Sequence, residues 1–249
     1  MARMKKHLAI GVAVVAVSLG FALWLTNPNT QSQSSAAAAT TTATSMTWAQ
    51  ADLLADARFR DYQNRVSQFD ASVPISGQLF ELDGRVDWQN HLGYATLTTQ
   101  QGGGTELLQW TPNGIAVRGG WSGPLPATPP ADGWEVRAWQ PGADLDTALE
   151  LILDLSTDRP ENAQALQRSG AVVLRRDSVG GEQVTVFAGP PESGSAVTDS
   201  ATGSHTRYWI ADDGSLRRFE ALVDGSTAWT EVDLVPGTAP AVPHIPGIG

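Results

Sequence analysis

The 249-residue chain predicts an α+β fold: a curved antiparallel β half-barrel covered on its concave face by helices, with an N-terminal transmembrane helix in front of it. Three observations carry this expectation. An uninterrupted uncharged run, Leu8 to Leu25, follows a basic start. Two later stretches, before residue 122 and after residue 170, alternate with a period of two between Gly-, Pro- and Asn-containing turns. Helical periodicity appears ahead of the first of these stretches and again between them. A long antiparallel meander broken by helices does not close like an eight-stranded barrel, so the helices are left to cover one curved face.

The order of elements begins with Arg3, Lys5 and Lys6 ahead of the apolar run. At about 1.5 Å per residue the run reaches about 27 Å, close to a hydrocarbon core of about 30 Å. Basic residues before the span place the N-terminus in the cytoplasm and the remainder outside, with Trp24 at the outer interface. The run ends in Trp24 and Leu25 rather than in a small-x-small cleavage site, which argues for residues 1–26 as an uncleaved signal anchor in the cell membrane. The residues leave open a long signal peptide whose removal would secrete the same domain. Residues 27–46, "NPNTQSQSSAAAATTTATSM", lack charge and large apolar groups and are expected to be a disordered stalk.

The main domain is expected over 47–235. A helix over Thr47 to Phe69 places Ala51, Leu54, Ala55, Arg58, Phe59, Tyr62 and Val66 on neighbouring positions, with Thr47 or Ser45 as its cap. Five strands follow before residue 122. Their turns are expected at Leu82-Asp83-Gly84, at Gly102 to Gly104, and at Pro112-Asn113-Gly114. "GPLPATPPADG" is a proline-rich loop and "WEVRAW" a short edge strand. "ADLDTALELILDLS" reads as a helix capped by Asp144, with Leu145, Leu149 and Ile152 on one face. "DRPENAQALQRSG" reads as a second helix, with Asp158 and Glu161 as the cap signature and Gly170 past its end. Strands resume as "AVVLRRD", "EQVTVFAG", "TRYWIA", "LRRFEALV" and "TAWTEVDL", joined at Gly180-Gly181, Asp213-Gly214 and Gly225. Residues 190–204 are expected to be a mobile loop and 236–249 a flexible tail without a core pattern.

Composition excludes several chemistries. After Lys6 the 13 remaining basic residues are all arginine, against 26 acids, a balance that repels nucleic acid and anionic headgroups. The missing lysines remove Schiff-base and Walker-type sites, and the absence of cysteine removes thiol nucleophiles, thiolate zinc sites and disulfides. "GWSGP" (Gly120 to Pro124) ends in proline where a nucleophile elbow needs glycine. His7, His91, His205 and His244 have no metal-ligand spacing. Glu81, Asp83 and Asp87 could approach one another across the expected hairpin at Leu82 to Arg85, but solvated turn charge is the better reading. "ADDGS" is a hairpin turn, and "QGGGT" lacks the helix and lysine of a phosphate cradle. No catalytic group, metal or cofactor is implied.

Aromatic residues remain. Of nine tryptophans, Trp88, Trp110, Trp121, Trp134, Trp139, Trp209 and Trp229 fall on or beside the expected strands. They either pack the core or line an apolar concavity. In "RYWIADDGSLRRFEALV", alternation puts Arg207 and Trp209 on one face and Tyr208 and Ile210 on the other, while Phe219, Ala221 and Val223 share a face on the returning strand. Arginine stacked on tryptophan is the expected decoration of an outer face.

An opening helix, "GRVDW" in the second strand, "GGEQVTVFAG" after the helical insert and "RYWIADDGSLRRFEALVDG" near the end together resemble the LolA-like superfamily, especially the LppX/LprG-type cell-envelope proteins of actinobacteria. The last two hairpins carry most of the likeness, through Tyr208, Trp209, Asp213, Gly214, Arg217, Arg218 and Asp233. The resemblance implies a hydrophobic cavity between sheet and helices that holds acyl chains of lipids or lipoproteins. The lipidated cysteine usual in the family is absent, which points to a tethered carrier or sensor rather than a free shuttle. Candidate cavity residues are Leu79, Leu97, Leu108, Val117, Leu149, Ile152, Phe187 and Phe219. The expected function is thus a non-catalytic, membrane-tethered extracytoplasmic binding module. The alternative is an envelope protein-interaction or sensing domain on the same fold, resembling regulators of anti-sigma factors, with a membrane protein as partner.

Overall fold

A computed structural model describes residues 43–100, 102–191, 203–223, 226–237, 239–245 and 247–248. The expected anchor, most of the expected stalk and most of the loop after Pro190 lie outside them. Thr40 to Gly249 form one compact unit. The elements are β1 (Thr44–Ser45), α1 (Trp48–Asn64), β2 (Val66–Ile75), β3 (Gln78–Asp87), β4 (Leu92–Thr99), β5 (Thr105–Thr111), β6 (Gly114–Trp121), β7 (Glu135–Arg137), α2 (Asp144–Leu153), α3 (Ala163–Arg168), β8 (Val172–Val179), β9 (Glu182–Ala188), β10 (Thr206–Ala211), β11 (Leu216–Leu222) and β12 (Trp229–Pro236).

The twelve strands among the described residues share one antiparallel sheet, in the order β1-β8-β9-β10-β11-β12-β2-β3-β4-β5-β6-β7. Two meanders, β2 to β7 and β8 to β12, are joined where β12 pairs with β2. β7 lies at one edge and β8 next to the other. The chain between them must cross the sheet, and it does so as α2 and α3. Topology thus supplies the helices of the face that they cover: α2 sits against β2 and β4, and α1 against β2, β10, β11 and α3.

Local chemistry explains most of these boundaries and corrects four expectations. Thr47 caps α1 in a capping box: the Gln50 N–H donates to Thr47 Oγ1 (3.3 Å) and the Thr47 N–H to Gln50 Oε1 (2.9 Å). The helix stops at Asn64, not Phe69. Arg65 turns the chain at φ 67°, and Val66 to Phe69 pair with Asp87 to Gly84. Leu82-Asp83-Gly84 is not a turn but the middle of β3. The β2–β3 turn is Ser76-Gly77, both with positive φ (50° and 79°), as a two-residue hairpin requires.

The N-cap of α2 is Ala143, without a side-chain bond; Asp144 lies one residue inside the helix. Asn162 caps α3 through a bond from the Ala165 N–H (3.1 Å). Asp158 does not cap it, and Glu161 instead pairs with Arg58 of α1 (2.9 Å). The two expected ends of the domain also move. Thr44 and Ser45 pair with Val173 and Val172 and Met46 is buried, so ordered structure begins before Thr47. At the other end, Val242, Ile245 and Ile248 are buried, so these residues are a docked segment rather than a tail.

The core lies between the sheet and the helices. Phe69 and Trp110 meet edge to face at 6.1 Å and 86°, a geometry favoured by ring quadrupoles. Gly93 makes this possible: a Cβ there would overlap the Trp110 ring, which lies directly on its backbone. Trp88 and Trp110 are fully buried, yet both indoles are satisfied, donating to Ser67 Oγ (2.9 Å) and to the Leu149 carbonyl (3.0 Å).

Candidate functional site

Alternation along the strands decides which expected cavity residues meet. Leu97 of β4, Leu108 of β5, Phe187 of β9 and Phe219 of β11 face the helices and join Leu149 and Ile152 of α2 in one apolar cluster. Val117 of β6 packs against it. Leu79 does not join them. Its neighbour Phe80 packs on the cluster, so the pleat sends Leu79 to the opposite face.

The seven that meet do so as packed core. Leu97 is the most exposed of the six clustered residues, at 6 %. At these positions the side chains themselves occupy the space where a cavity was expected. They form the floor and lid of the interior, not its open lining.

Open space appears beside them, along α2. A recess of about 480 Å³ is lined by His91, Pro112, Trp139, Thr147, Glu150 and Leu153, among others. Its size falls within the range of about 300–1,000 Å³ typical of ligand pockets. Leu153 belongs to the core cluster and Trp139 packs against it, so the apolar side of the recess continues into the interior. The Trp139 indole donates to the Thr111 carbonyl (3.1 Å), which holds the ring as a fixed wall.

The helix bordering the recess is tied to the sheet by charge. Arg137 of β7 donates to both oxygens of Asp146 (2.7 and 2.6 Å), and the Gln140 N–H donates to Asp146 Oδ2 (2.8 Å). Burial alone would raise the Asp146 carboxyl, but these bonds and the adjacent guanidinium outweigh it and hold the group below the usual carboxylate range. Sequence pattern marks Trp139 as one of the seven tryptophans on or beside the expected strands and Arg137 only as an arginine on a short edge strand, while Asp146 and Thr147 carry no signal of their own.

A second charged feature is Asp61 of α1, which is fully buried, with neither carboxylate oxygen hydrogen-bonded among the described residues. Burial drives its pKa well above the ordinary value, and the charges of Arg217 and Arg58 only partly offset this.

The outer face answers how tryptophan and arginine share the β10–β11 hairpin. Tyr208 faces inward against Phe219 at 5.1 Å. Trp209 faces outward, yet is only 3 % exposed. The guanidinium carbons of Arg175 and Arg218 lie 5.7 and 6.0 Å from its ring centroid, and its indole donates to Asp177 Oδ2 (3.0 Å). Arg207 covers Trp229 at 4.0 Å. These contacts are internal to the fold, and the rings are walls rather than a clamp.

The same face gathers carboxylates. Register places Asp233, Asp70 and Asp83 side by side on β12, β2 and β3, with Glu231 and Glu81 lining the same recess of about 430 Å³. Glu81 and Asp83 thus meet other strands' acids from one side of β3, not each other across a hairpin. Arg218 donates to Asp233 (2.6 and 2.7 Å) and pairs with Glu231 (3.0 Å). Burial, then the charges of Asp83 and Asp233, push the Asp70 carboxyl up. Among the described residues, no group of three His, Cys, Asp or Glu is placed to hold a metal ion.

No protein-family profile matches the chain, and no curated protein matches it. Solved structures do match. One, from Vibrio parahaemolyticus, is described as an outer membrane lipoprotein-sorting protein domain. It is 11 % identical, with 78 % of this chain and 95 % of that chain covered, at a TM-score of 0.23. A likeness of that size carries no argument about what this chain does.

Proposed function

We propose that the chain is a non-catalytic, extracytoplasmic binding module of LolA-like type, tethered to the membrane through residues 8–25, that takes an acyl chain of a lipid or lipoprotein at α2. The carrying observation is the recess along that helix. It is bounded by Trp139 and Leu153 and continuous with an interior built from Leu149, Ile152, Leu108 and Phe219. An acyl chain entering there would gain about 0.8 kcal/mol per buried methylene. Deeper entry requires α2 to move off the sheet, against the Arg137–Asp146 pair.

The packed interior favours a second reading, an envelope protein-interaction or sensing domain whose helices never open. Native mass spectrometry of the full chain, extracted from membranes in mild detergent, separates the two. A lipid-sized mass increment that disappears on organic extraction supports the first. A bare protein mass, together with no displacement of a fluorescent fatty acid by added lipid, overturns it. Recovery of a membrane-protein partner by such lipid-free protein supports the second. Membrane fractionation of the full chain against one lacking residues 1–26 tests the tether.

A further inference from the structure

Residues 239–248 read "APAVPHIPGI", in which a β-branched residue followed by proline recurs as Val242-Pro243 and Ile245-Pro246, with Ile248 at the next third place. Burial follows the same period: Val242, Ile245 and Ile248 are 4, 5 and 2 % exposed, while Pro243 and His244 between them are exposed. A spacing of three puts these side chains on one side of the segment, and Gly247, at φ 91°, turns the chain ahead of Ile248.

The surface beneath is the outer face of β4 to β6, walled by the proline-rich loop before β7. Val242 packs with Leu92 and Tyr94, with Leu125 and Trp134 alongside. Ile245 and Ile248 pack with Ala116, again beside Trp134. Gln109, completely buried, reads the backbone in both directions: its Nε2 donates to the Pro243 carbonyl (3.0 Å) and its Oε1 accepts from the Ile245 N–H (2.8 Å). Thr111 Oγ1 donates to the Ile248 carbonyl (2.9 Å). Main-chain bonds on one side and pockets at alternate places on the other are the ordinary means of recognising an extended peptide.

We propose that this outer face is a peptide-recognition groove for extended segments carrying Val or Ile followed by Pro at every third residue, and that residues 239–245 and 247–248 occupy it as a displaceable internal ligand. The partner is therefore a polypeptide with this repeat, bound on the face of the sheet opposite to α2, and the inference is independent of acyl binding. The internal segment leaves the groove imperfectly satisfied, since the buried Tyr94 hydroxyl has no hydrogen-bond partner among the described residues. Being part of the same chain, the segment is present at an effective concentration of about millimolar, so a partner binds only when it outcompetes the segment or when the segment has been pulled away.

The test uses the full chain with Ile245→Ser and Ile248→Ser, and a fluorescently labelled synthetic peptide, PAVPHIPGI, followed by anisotropy. The double variant is expected to bind the peptide at least about tenfold more tightly than the unvaried chain. Adding Gln109→Ala should lower that binding about tenfold, the effect of about 1.4 kcal/mol. A peptide with the same composition but scrambled order should not bind. A double variant with an unchanged near-ultraviolet dichroism spectrum that does not bind the peptide up to millimolar concentration overturns the proposal, as does equal binding with and without Gln109. Hydrogen exchange on the unvaried chain gives an independent decision. The Ile245 amide should exchange through a local opening, faster than the amides of Leu108 and Trp110 on β5. Exchange only together with those amides, in global unfolding, also overturns it.

Discussion

Arg137 on β7 grips Asp146 on α2 through two parallel hydrogen bonds of 2.7 and 2.6 Å. β7 is a three-residue edge strand, so this pair joins the last strand of the first meander to the helix that starts the crossing. Charged bidentate pairs of this kind are the stronger members of their class.

Asp146→Ala should therefore destabilise the domain by about 2 kcal/mol, because a guanidinium and the Gln140 N–H lose their acceptor. Urea unfolding would show a lower midpoint with an unchanged slope. If α2 is the entrance for acyl chains, the same variant should also take up a fluorescent fatty acid faster. A variant with lowered stability and unaltered uptake would separate the structural role of the pair from the proposed gating.

Asp61 should make stability depend on pH. Burial raises its pKa in the folded chain, so the folded state keeps a proton that the unfolded state releases near pH 4. Stability from this group is fully present below that value and is lost as pH rises towards the folded pKa, with a slope of at most about 1.4 kcal/mol per pH unit. Asp61→Asn should flatten the decline between about pH 4 and neutrality. Chemical denaturation across that range is the measurement, and an unchanged slope in the variant would contradict the assignment.

On the outer sheet face, Asp70 stands between Asp233 and Asp83. Like charges directly opposed on neighbouring strands cost about 0.2–1 kcal/mol, and Arg218 engages only Asp233 and Glu231 of this group. Asp70→Asn should stabilise the domain at pH 7 by an amount within that range. The gain should shrink with added salt and as pH falls, because the raised Asp70 carboxyl takes up its proton early. Thermal melts at low and high ionic strength would show this.

Gly93→Ala puts a methyl group into the plane occupied by the Trp110 indole. Trp110 is held there by its bond to the Leu149 carbonyl and by Phe69, so it has no free direction in which to move. A loss of about 3 kcal/mol, at the upper end for overpacking, is expected in urea unfolding. A near-native midpoint would mean that the ring is less constrained than its contacts imply.

Features with short-range causes were legible in the residues. The Thr47 cap of α1, the turns at Gly180-Gly181 and Asp213-Gly214, Gly170 past α3 and the edge strand containing Arg137 all depend on neighbours within four positions. The helix-to-strand change at Arg65 was harder to read, since no glycine or proline marks it. Val66 and Phe69 fit a helical face as well as a strand, and only pairing with β3 decides between them.

What the sequence determined by itself is the alternation of apolar and polar residues, hence an α+β domain with an antiparallel sheet and Tyr208 and Trp209 on opposite faces. Backbone geometry makes those consequences local. Tertiary structure decided the rest: that Leu97, Leu108, Leu149, Ile152, Phe187 and Phe219 fill the interior instead of lining a void, that Asp70 lies between two other acids, and that Val242, Ile245 and Ile248 dock on a sheet face. Each depends on strand register or on contacts between distant residues, such as Gln109 and Ile245, 136 positions apart. Periodicity records which face of its own element a side chain shares, whereas long-range pairing settles what stands opposite it.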